Sequence, residues 1–479
     1  MINWKSHNRE SDWTDLDVCV VGIGIAGFAA ADALIEMGAK VTVIDSGTGS
    51  QQIEHSTVIE ILGGKVFLNY SGNIPEGINL LVVSPGVKPN SELIKEAQLK
   101  NIEIWGELEL AWRLRPLQNP APWLCVTGTN GKTTTAIMLS SILTSAGHRA
   151  PAVGNIGESL VSAVMDPVPA HVFAIEVGAP QLSFISQISP HSSVVLNLAQ
   201  DHIDFFGTFE KYAETKSRVY KNVQKSAIYN VQDEVTQKMV EEADVIEGTR
   251  AIGFTLGTPG LSMLGLVEDI LVDRAFVEDR KNHAQELCSI SDLPSEAPHL
   301  VANALAAAAL ARSFGVEAAH VRDGLRSFVP APHRMEKIGV YQGVTFIDDS
   351  KATNCHAAQM SLSGVKNVIW IAGGQAKGQN FDDLIKANSD NLKAVILLGE
   401  DKEIILNSIK KIAPQLPYKI VERTDEEAMK EVLSLAKGLA VSGDTVLLAP
   451  GCASWDMYKD YKARGKAFQE AIQVHYGNI

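Results

Sequence analysis

The sequence lacks both the long apolar runs of a membrane protein and the clustered cysteines of a disulfide or zinc framework. Its longest apolar stretch, Ala302 to Ala311, falls short of the ~18 apolar residues of a membrane span and contains Asn303. The five cysteines lie far apart and form no CxxC or Cys/His ligand spacing. Residues 1–17 are polar and charged, without the apolar core of a signal peptide. We therefore expect a cytoplasmic protein with reduced thiols and no membrane contact.

A surplus of basic residues is also missing. Lysine and arginine number 42 against 56 acidic residues, which gives a net charge of -14, and the basic residues are scattered along the chain. Proteins that bind nucleic acid usually present a basic patch. We therefore expect no nucleic-acid partner. Any anionic ligand must be bound by a few local groups and not by a basic surface.

The length and composition predict a globular protein of several domains. The chain has 479 residues, of which 46% are apolar and 20% charged. At one domain per ~150 residues, this length predicts about three domains. Two proline-rich connections, at 115–122 and 329–332, separate three blocks. We place the domains at 1–119, 120–329 and 330–479.

Each block repeats the pattern of a strand, a loop and a helix. Val18 to Val21 and Leu124 to Thr127 are strand-like runs that lead into glycine loops and amphipathic stretches, and the third block contains four such runs. This alternation predicts three α/β domains with mainly parallel sheets. The segment from Ala251 to Ser291 alternates without a helical period, and we expect a small antiparallel insertion there.

The strongest motif is Gly128-Thr-Asn-Gly-Lys-Thr133, which follows a strand and opens a helix. In that context backbone N–H groups face a polyphosphate, the Lys132 ammonium neutralises it and the Thr133 hydroxyl reaches Mg²⁺. Val126 stands where the general phosphate-loop pattern has its first glycine, so this loop is a shorter variant.

A second glycine loop, Gly22-Ile-Gly-Ile-Ala-Gly27, follows the first strand, and Asp45 ends the next strand. This spacing is typical of a dinucleotide fingerprint and taken alone favours NAD. The loop specifies only a close approach of the backbone to a diphosphate, which a UDP-sugar also carries. The residues of this loop do not distinguish NAD from a UDP-sugar.

Acidic and imidazole groups follow two further strand-like runs of the second block. Glu176 ends the run from His171, and Asp201-His202 follows the run from Val194 to Leu198. Ligands of open α/β sheets gather at such carboxyl ends. Glu176 can coordinate magnesium, and His202 can bind it or handle a proton. Lys216 lies in a helical pattern, where a solvated surface lysine is the default expectation.

In the third block, polar residues and glycines follow four strands. The loops are Asp348-Asp-Ser-Lys-Ala-Thr-Asn354, Gly373-Gly-Gln-Ala-Lys377, Gly399-Glu400 and Pro450-Gly-Cys-Ala-Ser454. A lysine, a threonine and a serine on one rim form a plausible carboxylate-binding set, with Lys377 as the charge. Ordinary capping of each loop is the alternative.

These motifs together resemble the Mur ligase family over essentially the whole chain. The resemblance rests on GTNGKT at 128–133, GNIG at 154–157, the NALAA run from Asn303, PHR at 332–334 and DSKATN at 349–354. Ligases that add other residues to the stem peptide, and folylpolyglutamate synthetases, share the ATP loop but usually not DSKATN. That motif indicates the branch of the family that adds D-glutamate.

The resemblance implies a Rossmann-like N-terminal domain, a central P-loop-type ATPase domain and a Rossmann-like C-terminal domain. It also implies ATP, UDP-N-acetylmuramoyl-L-alanine and D-glutamate as substrates, with two magnesium ions. UDP-substrate contacts are implied at Ile25, Ala26, Asp45, Ser46, Ser84, Pro85, Gly86 and Asn155. ATP contacts are implied at Gly128, Thr129, Asn130, Gly131, Lys132, Thr133, Thr134, Asn303, Arg334 and Asp349.

The resemblance also assigns catalytic groups. Lys216 matches the family lysine that becomes a carbamate, which replaces its reading as a surface lysine. The implied metal ligands are Thr133, Glu176, His202 and Lys216, and the implied catalytic residues are Lys132, Glu176, His202, Lys216 and Lys351. D-glutamate contacts are implied at Thr353, Lys377 and Ser454. The reaction then runs through an acyl phosphate, and the ATP-binding and amino-acid-binding domains must close to bring the reactants together.

Two departures from the family pattern stand out. The family's E-x-S-S-[FY]-Q-L is Glu176-Val-Gly-Ala-Pro-Gln-Leu182 here, and an asparagine frequent after the family histidine is Leu300. The first affects local substrate contacts and the second affects the adenine region. Two other classes of function stay open on the residues alone: an NAD-dependent oxidoreductase built on the first glycine loop, and a non-catalytic nucleotide-binding module.

Overall fold

Three β-sheets organise the chain in the computed structural model, which describes residues 2–425 and 427–477, with the side chain of Asp204 left aside. The chain divides into two compact units. The first comprises Met1–Leu293 and Leu300–Phe328, and the second comprises Pro294–His299 and Val329–Ile479. The first two sheets belong to the first unit and the third sheet belongs to the second. Across the described ranges, no helix is both long and apolar enough to cross a membrane.

The first sheet has five parallel strands in the order β3-β2-β1-β4-β5. Its central strands are runs of apolar residues that are buried throughout or nearly so, because helices cover both faces of a parallel sheet. The strands are β1 (Asp17–Val21), β2 (Lys40–Ile44), β3 (Lys65–Phe67), β4 (Leu80–Val83) and β5 (Glu103–Gly106). The helices are α1 (Ile25–Glu36), α2 (Ser50–Ile61), α3 (Glu92–Leu99) and α4 (Glu107–Leu114).

The second sheet has nine strands in the order β14-β13-β12-β11-β10-β9-β6-β8-β7. The strands are β6 (Trp123–Thr127), β7 (Ala152–Gly154), β8 (Phe173–Glu176), β9 (Ser192–Val195), β10 (Ser226–Asn230), β11 (Arg250–Phe254), β12 (Met263–Val267), β13 (Ile270–Asp273) and β14 (Gln285–Ser289). The helices are α5 (Lys132–Ser145), α6 (Leu160–Met165), α7 (Ile203–Phe206), α8 (Phe209–Ser217), α9 (Glu234–Glu241), α10 (Pro298–Phe314) and α11 (Ala318–Arg326).

The region from Ala251 to Ser291 contains antiparallel strands, but they do not form a separate insertion. β11 and β12 still pair in parallel, whereas β12, β13 and β14 pair antiparallel at the edge of the same sheet. Alternating side chains suit these edge strands because one of their faces is partly solvated. The prediction of antiparallel strands is therefore confirmed, while their place is an extension of the central sheet.

The third sheet has six strands in the order β15-β16-β20-β17-β18-β19 and is parallel except for β15. The strands are β15 (Glu336–Tyr341), β16 (Val344–Asp348), β17 (Val368–Gly373), β18 (Leu392–Leu398), β19 (Tyr418–Ile420) and β20 (Thr445–Leu448). The helices are α12 (Cys355–Ser363), α13 (Asp382–Asn388), α14 (Lys402–Ile412), α15 (Ala428–Leu439) and α16 (Tyr461–Tyr476). Three mainly parallel α/β sheets confirm the predicted fold class.

Within the first unit, two buried carboxylates of α4 tie the first sheet's layer to the second. Glu107 accepts hydrogen bonds from Ser159 Oγ at 2.8 Å and from Gln181 Nε2 at 3.1 Å. Glu109 accepts bonds from the backbone and hydroxyl of Ser186 and from Arg113 Nε at 2.7 Å. A buried charge must be paired or hydrogen-bonded, and each of these carboxylates has several donors. The connection therefore fixes α4 against the segment that follows Glu176.

Candidate active site

The phosphate loop joins β6 to α5 and requires two glycines with positive φ. Gly128 has φ 149° and Gly131 has φ 85°, and a Cβ on Gly131 would lie 2.3 Å from Asn303 Oδ1. Lys132 Nζ donates to the carbonyl oxygens of Gly128 at 2.9 Å and Thr129 at 2.8 Å. The ammonium is thus held over the loop, beside the backbone N–H groups at the start of α5. This is the arrangement that binds phosphate groups.

Oxygen donors adjoin the loop at the end of β8. Glu176 is buried, and its carboxylate accepts hydrogen bonds from Thr133 Oγ1 at 2.6 Å and from Asn155 Nδ2 at 2.9 Å. Carboxylate and hydroxyl oxygens are hard ligands of the kind that Mg²⁺ prefers. The residues present therefore fit a magnesium ion. Asn155, which the resemblance implies as a contact of the UDP substrate, lies against this carboxylate.

Lys216 is buried although its helical pattern alone predicts a solvated surface lysine, so that expectation is wrong. Its side chain on α8 is 1% exposed, and Nζ donates to the Gly128 carbonyl at 2.8 Å and to Thr127 Oγ1 at 3.3 Å. Burial, followed by the nearby Lys132 ammonium, lowers the pKa of Lys216 well below its usual value. A buried amine with a depressed pKa is neutral and nucleophilic far more readily than a surface lysine.

His202 precedes α7 as its N-cap and has a left-handed conformation, with φ 54°. Its side chain is 51% exposed, Nε2 lies 3.9 Å from Asp201 Oδ2, and its ring centroid is 6.3 Å from that of Tyr212. The Tyr212 hydroxyl also lies 3.0 Å from Thr129 Oγ1, and its ring centroid lies 4.9 Å from Lys216 Nζ. The loops after β9, β6 and β8, which are neighbours in the sheet, therefore gather the predicted catalytic groups of the central domain.

Two contributors to this site were missed from the sequence. Tyr212 connects Thr129 to Lys216, and Asn197 Oδ1 accepts a hydrogen bond from the backbone N–H of Asn130 at 2.9 Å. Asn197 follows β9, so the rule that ligands gather at carboxyl strand ends would have found it. Tyr212 lies inside a helix, where no pattern in the sequence singles it out.

The departure at Glu176-Val-Gly-Ala-Pro-Gln-Leu182 forms a 3-10 helix at Pro180–Phe184. Gln181 Oε1 accepts the backbone N–H of Gly178 at 2.8 Å, and Gln181 Nε2 donates to Glu107. The segment is therefore held by its glutamine, which the family pattern retains. Leu300, the second departure, is partly buried and packs against the core beneath the central sheet.

In the first glycine loop, the glycines differ in whether the fold leaves room for a side chain. A Cβ on Gly27 would lie 1.8 Å from the carbonyl oxygen of Gly22, so α1 packs closely only with glycine at that position. A Cβ on Gly24, by contrast, would meet nothing within 4 Å. The Asp45 carboxylate accepts backbone N–H groups from Ile23 at 2.7 Å and Gly47 at 2.6 Å. The fold therefore requires Gly27 but not Gly24.

A cleft of about 850 Å³ lies at the carboxyl ends of β1, β2 and β4. Of the residues predicted to contact the UDP substrate, Asp45, Ser46, Ser84 and Gly86 line it. Ile25, Ala26 and Pro85 are not among the residues that line it, and Asn155 lies at the magnesium-type site instead. The segment 70–73 also lines the cleft and was missed, although its Ser-Gly-Asn turn signal follows β3.

The third sheet carries the DSKATN segment between β16 and α12. Asp349 is buried and accepts a hydrogen bond from Ser361 Oγ, and burial raises its pKa to about 6 against the opposing effects of that hydroxyl and the Arg334 guanidinium. Thr353 is half-buried, and Asn354 Oδ1 caps α12 by accepting the N–H of Ala357 at 2.8 Å. Lys351 Nζ lies 4.2 Å from the centroid of the Tyr461 ring.

The loops after β17 and β20 meet on the same rim. Gln375 and Ala453 exchange two backbone hydrogen bonds of 2.9 Å, which brings the Lys377 and Ser454 loops together. Arg464, buried on α16, donates to the carbonyl oxygens of Ser350 at 2.9 Å and Cys452 at 3.0 Å. This arginine, missed from the sequence, fixes the DSKATN and Ser454 loops relative to each other.

Three domain models of one family match successive parts of the chain. Residues 16–106 match "Mur ligase MurD-like, N-terminal domain", residues 126–311 match "Mur ligase middle domain" and residues 333–452 match "Mur ligase, glutamate ligase domain". The first and third matches contain the first and third sheets, and the middle match contains the second sheet except for the start of β6.

Two relatives that match over nearly their whole length carry the same name. The UDP-N-acetylmuramoylalanine--D-glutamate ligase of Streptomyces avermitilis is 49% identical over 463 residues, which cover 97% of this chain and 99% of the relative. The enzyme of the same name from Streptomyces coelicolor is 49% identical over 465 residues, with the same coverage.

A solved structure shares the fold at low sequence identity. It is the UDP-N-acetylmuramate-alanine ligase of Thermotoga maritima, with a TM-score of 0.59 at 18% identity over 96% of this chain and 100% of that chain. Since the domain models and the full-length relatives agree along nearly the entire sequence, the chain belongs to the Mur ligase family.

Proposed function

We propose that the chain is an ATP-dependent ligase that adds D-glutamate to UDP-N-acetylmuramoyl-L-alanine, a cytoplasmic step of peptidoglycan synthesis. The observation that carries this proposal is the 49% identity, over nearly the whole length of both chains, to relatives named for that reaction. Family membership favours this class over an NAD-dependent oxidoreductase. A non-catalytic nucleotide-binding module would not need Lys216 buried beside the phosphate loop.

The chemistry of amide formation explains the need for ATP. A carboxylate resists attack by an amine because its leaving group would be oxide. A carboxylate oxygen of the UDP substrate first attacks the γ-phosphorus of ATP, and the bond to ADP breaks. The amine of D-glutamate then attacks the acyl carbon, phosphate leaves and the amine loses its proton. The product is an amide, with ADP and phosphate released.

The residues around the phosphate loop would hold ATP and stabilise charge. Lys132 would provide a fixed ammonium beside the phosphates, together with the backbone N–H groups at the start of α5. Thr133, Glu176, His202 and Lys216 as a carbamate would hold magnesium, which supplies positive charge that offsets the phosphate oxygens. Asn303, beside Gly131, would contact the nucleotide.

We assign the UDP substrate to the cleft of the first sheet and D-glutamate to the rim of the third. The working domain boundaries are 1–119, 120–329 and 330–479. On the rim of the third sheet, Thr353, Lys377 and Ser454 would bind the amino acid, and Lys351 would assist phosphate transfer.

A direct test is to measure ADP release with UDP-N-acetylmuramoyl-L-alanine and a panel of D- and L-amino acids. Release that depends on both the UDP substrate and D-glutamate is the expected result, with amide product detected by mass. Equal release with every amino acid, or none with D-glutamate, would overturn the proposal.

Gly24→Val should abolish binding of the UDP substrate without unfolding the protein. The site is open in the structure and its φ of -66° suits any residue, so the fold tolerates a side chain there. In the proposed complex that side chain would compete with the diphosphate for space. Thermal shift should show protection of the wild type by UDP-N-acetylmuramoyl-L-alanine and not by NAD, and loss of that protection in Gly24→Val.

Two variants control for this result. Gly438→Val, on α15 and equally open, should keep protection by the UDP substrate, and ATP should still protect Gly24→Val. Protection by NAD with none from the UDP substrate would contradict the assignment of the cleft.

Lys377→Ala and Thr353→Ala should raise the KM for D-glutamate about tenfold or more, and the KM for ATP far less. Loss of a charged or hydroxyl partner of a bound carboxylate costs on the order of 1.5 to 3 kcal/mol. Steady-state kinetics with each substrate varied in turn provide the measurement. Lys366→Ala is the matched control, because this exposed lysine precedes β17 whereas Lys377 follows it. Equal effects on both substrates would point to damaged folding instead.

A further inference from the structure

Trp455 is a large aromatic side chain that the fold leaves in solvent. It is 65% exposed, although the neighbouring Ser454 is only 3% exposed and the preceding strand, β20, is fully buried. A lone exposed aromatic residue is common on protein surfaces, although it keeps apolar area in contact with water. Trp455, however, belongs to a tightly held loop.

The loop is fixed on both sides. Gln375 and Ala453 exchange two backbone hydrogen bonds of 2.9 Å, so Lys377 and Trp455 each lie two residues beyond the same bridge. Lys377 itself has a left-handed φ of 51°, followed by Gly378 at 76°. Residues other than glycine seldom adopt this conformation, and in it the side chain leaves the backbone in a different direction than it would from an extended loop.

The ammonium of Lys377 rests on the tryptophan. Lys377 Nζ lies 4.1 Å from the centroid of the Trp455 ring, well within the range of a cation–π contact. Among the residues that the structure describes, none offers Lys377 a carboxylate at ion-pair distance. The Lys377 ammonium is therefore oriented by the Trp455 ring and not by a carboxylate.

The acidic groups nearby are engaged by other donors. Asp401 Oδ2 accepts the N–H of Ala376 at 2.7 Å, and Asp456 Oδ2 accepts the N–H of Glu400 at 2.8 Å. Glu400 Oε2 accepts from Gln375 Nε2 at 3.2 Å. These bonds shape the two loops and leave the positive charge of Lys377 available to an incoming anion.

We propose that Trp455 is a positioning and specificity residue for the amino-acid substrate. Its ring holds one side of the Lys377 ammonium, so the N–H groups on the other side bind the side-chain carboxylate of the amino acid. Because lysine is already ordered, binding loses less side-chain entropy. An ammonium held in one place on the rim meets the side-chain carboxylate of one chain length, so the pair favours an acidic amino acid with two methylenes over one with a shorter chain. This inference rests on the proposed function and adds a residue to it.

Kinetics of Trp455→Leu and Trp455→Phe test the proposal. Trp455→Leu should raise the KM for D-glutamate about two- to fivefold, in keeping with one exposed cation–π contact, and reduce the preference for D-glutamate over D-aspartate. The kcat at saturating D-glutamate and the KM for ATP should stay within about twofold of wild type. Trp455→Phe, which keeps an aromatic face, should show a smaller rise. An unchanged KM for D-glutamate in Trp455→Leu would overturn the proposal.

Val474→Ala is the matched control, because Val474 is 66% exposed on α16 of the same unit and should leave all constants unchanged. A second measurement needs no catalysis. D-Glutamate should reduce acrylamide quenching of the fluorescence that Trp455→Phe loses, and L-lysine should not. If D-glutamate leaves this quenching unchanged, the ring does not border the amino acid and the proposal is wrong.

The two proposals can fail separately. Wild-type enzyme without ADP release dependent on D-glutamate would end both of them. Wild-type activity with D-glutamate, combined with a normal KM in folded Trp455→Leu, would end only the role of Trp455. If Trp455→Leu does not fold, Trp455→Phe and the quenching measurement decide the outcome.

Discussion

Lys132→Ala should lower the rate of ADP release by about 10²- to 10³-fold or more, while the protein still folds and binds the UDP substrate. Lys132 Nζ lies over the phosphate loop and contacts the carbonyl oxygens of Gly128 and Thr129, so it is placed for charge and not for core packing. Removal of a preorganised positive group costs the transition state more than the ground state, because negative charge shifts onto the transferred phosphoryl group.

Single-turnover release of ADP, with trapping of the acyl phosphate by hydroxylamine, measures this effect. Lys238→Ala is a suitable control, since Lys238 is a solvated lysine on α9 of the same domain. The melting temperature of Lys132→Ala and its protection by UDP-N-acetylmuramoyl-L-alanine should resemble those of the wild type. Near-normal ADP release by the folded variant would contradict the role of Lys132.

The sheets could be predicted because their strands are buried on both faces. Apolar runs such as Val18 to Val21 and Leu124 to Thr127 have no other stable place, and the glycine loops that follow them mark where α1 and α5 begin. The extension of the central sheet by β12 to β14 could not be predicted, because alternation specifies a half-buried strand and not its neighbours.

Within the site, charged residues at strand ends were the predictable part. Glu176 is the last residue of β8 and Asp349 follows β16, and both are buried where their sheets gather polar groups. Residues that act through distant contacts were not predictable. Glu107 and Gln181 meet across the two layers of the first unit, and Arg464 reaches the rim from α16. No local pattern encodes a partner so far away in the sequence.

Lys216 shows most clearly where local pattern fails. Its neighbours along α8 are polar, which predicts a solvated side chain, but Tyr212 and Thr215 turn the same face of the helix inward. Only the resemblance to the Mur ligases singled it out. Its burial beside Gly128 and its depressed pKa are facts of the folded protein.

Lys216→Ala should be nearly inactive, and a small carboxylic acid such as formate or acetate should partly restore activity. The neutral Nζ that burial favours can attack the carbon of CO₂, form an N–C bond and lose a proton, which yields a carbamate. An ammonium has no lone pair with which to coordinate magnesium, whereas a carbamate provides the anionic oxygen ligands that magnesium prefers. Lys216→Arg should also be inactive, because guanidinium stays protonated and forms no carbamate.

The dependence on CO₂ separates a carbamate from a merely structural lysine. Wild-type enzyme prepared in CO₂-depleted buffer should lose activity and regain it with bicarbonate, and Lys216→Ala should respond to formate but not to bicarbonate. Lys211→Ala, an exposed position of the same helix, should respond to neither and remain active. Wild-type turnover in Lys216→Ala would show that the lysine has no catalytic part. A folded, inactive Lys216→Ala that no carboxylic acid rescues would exclude the carbamate and leave Lys216 as a donor that holds the Gly128 carbonyl in place.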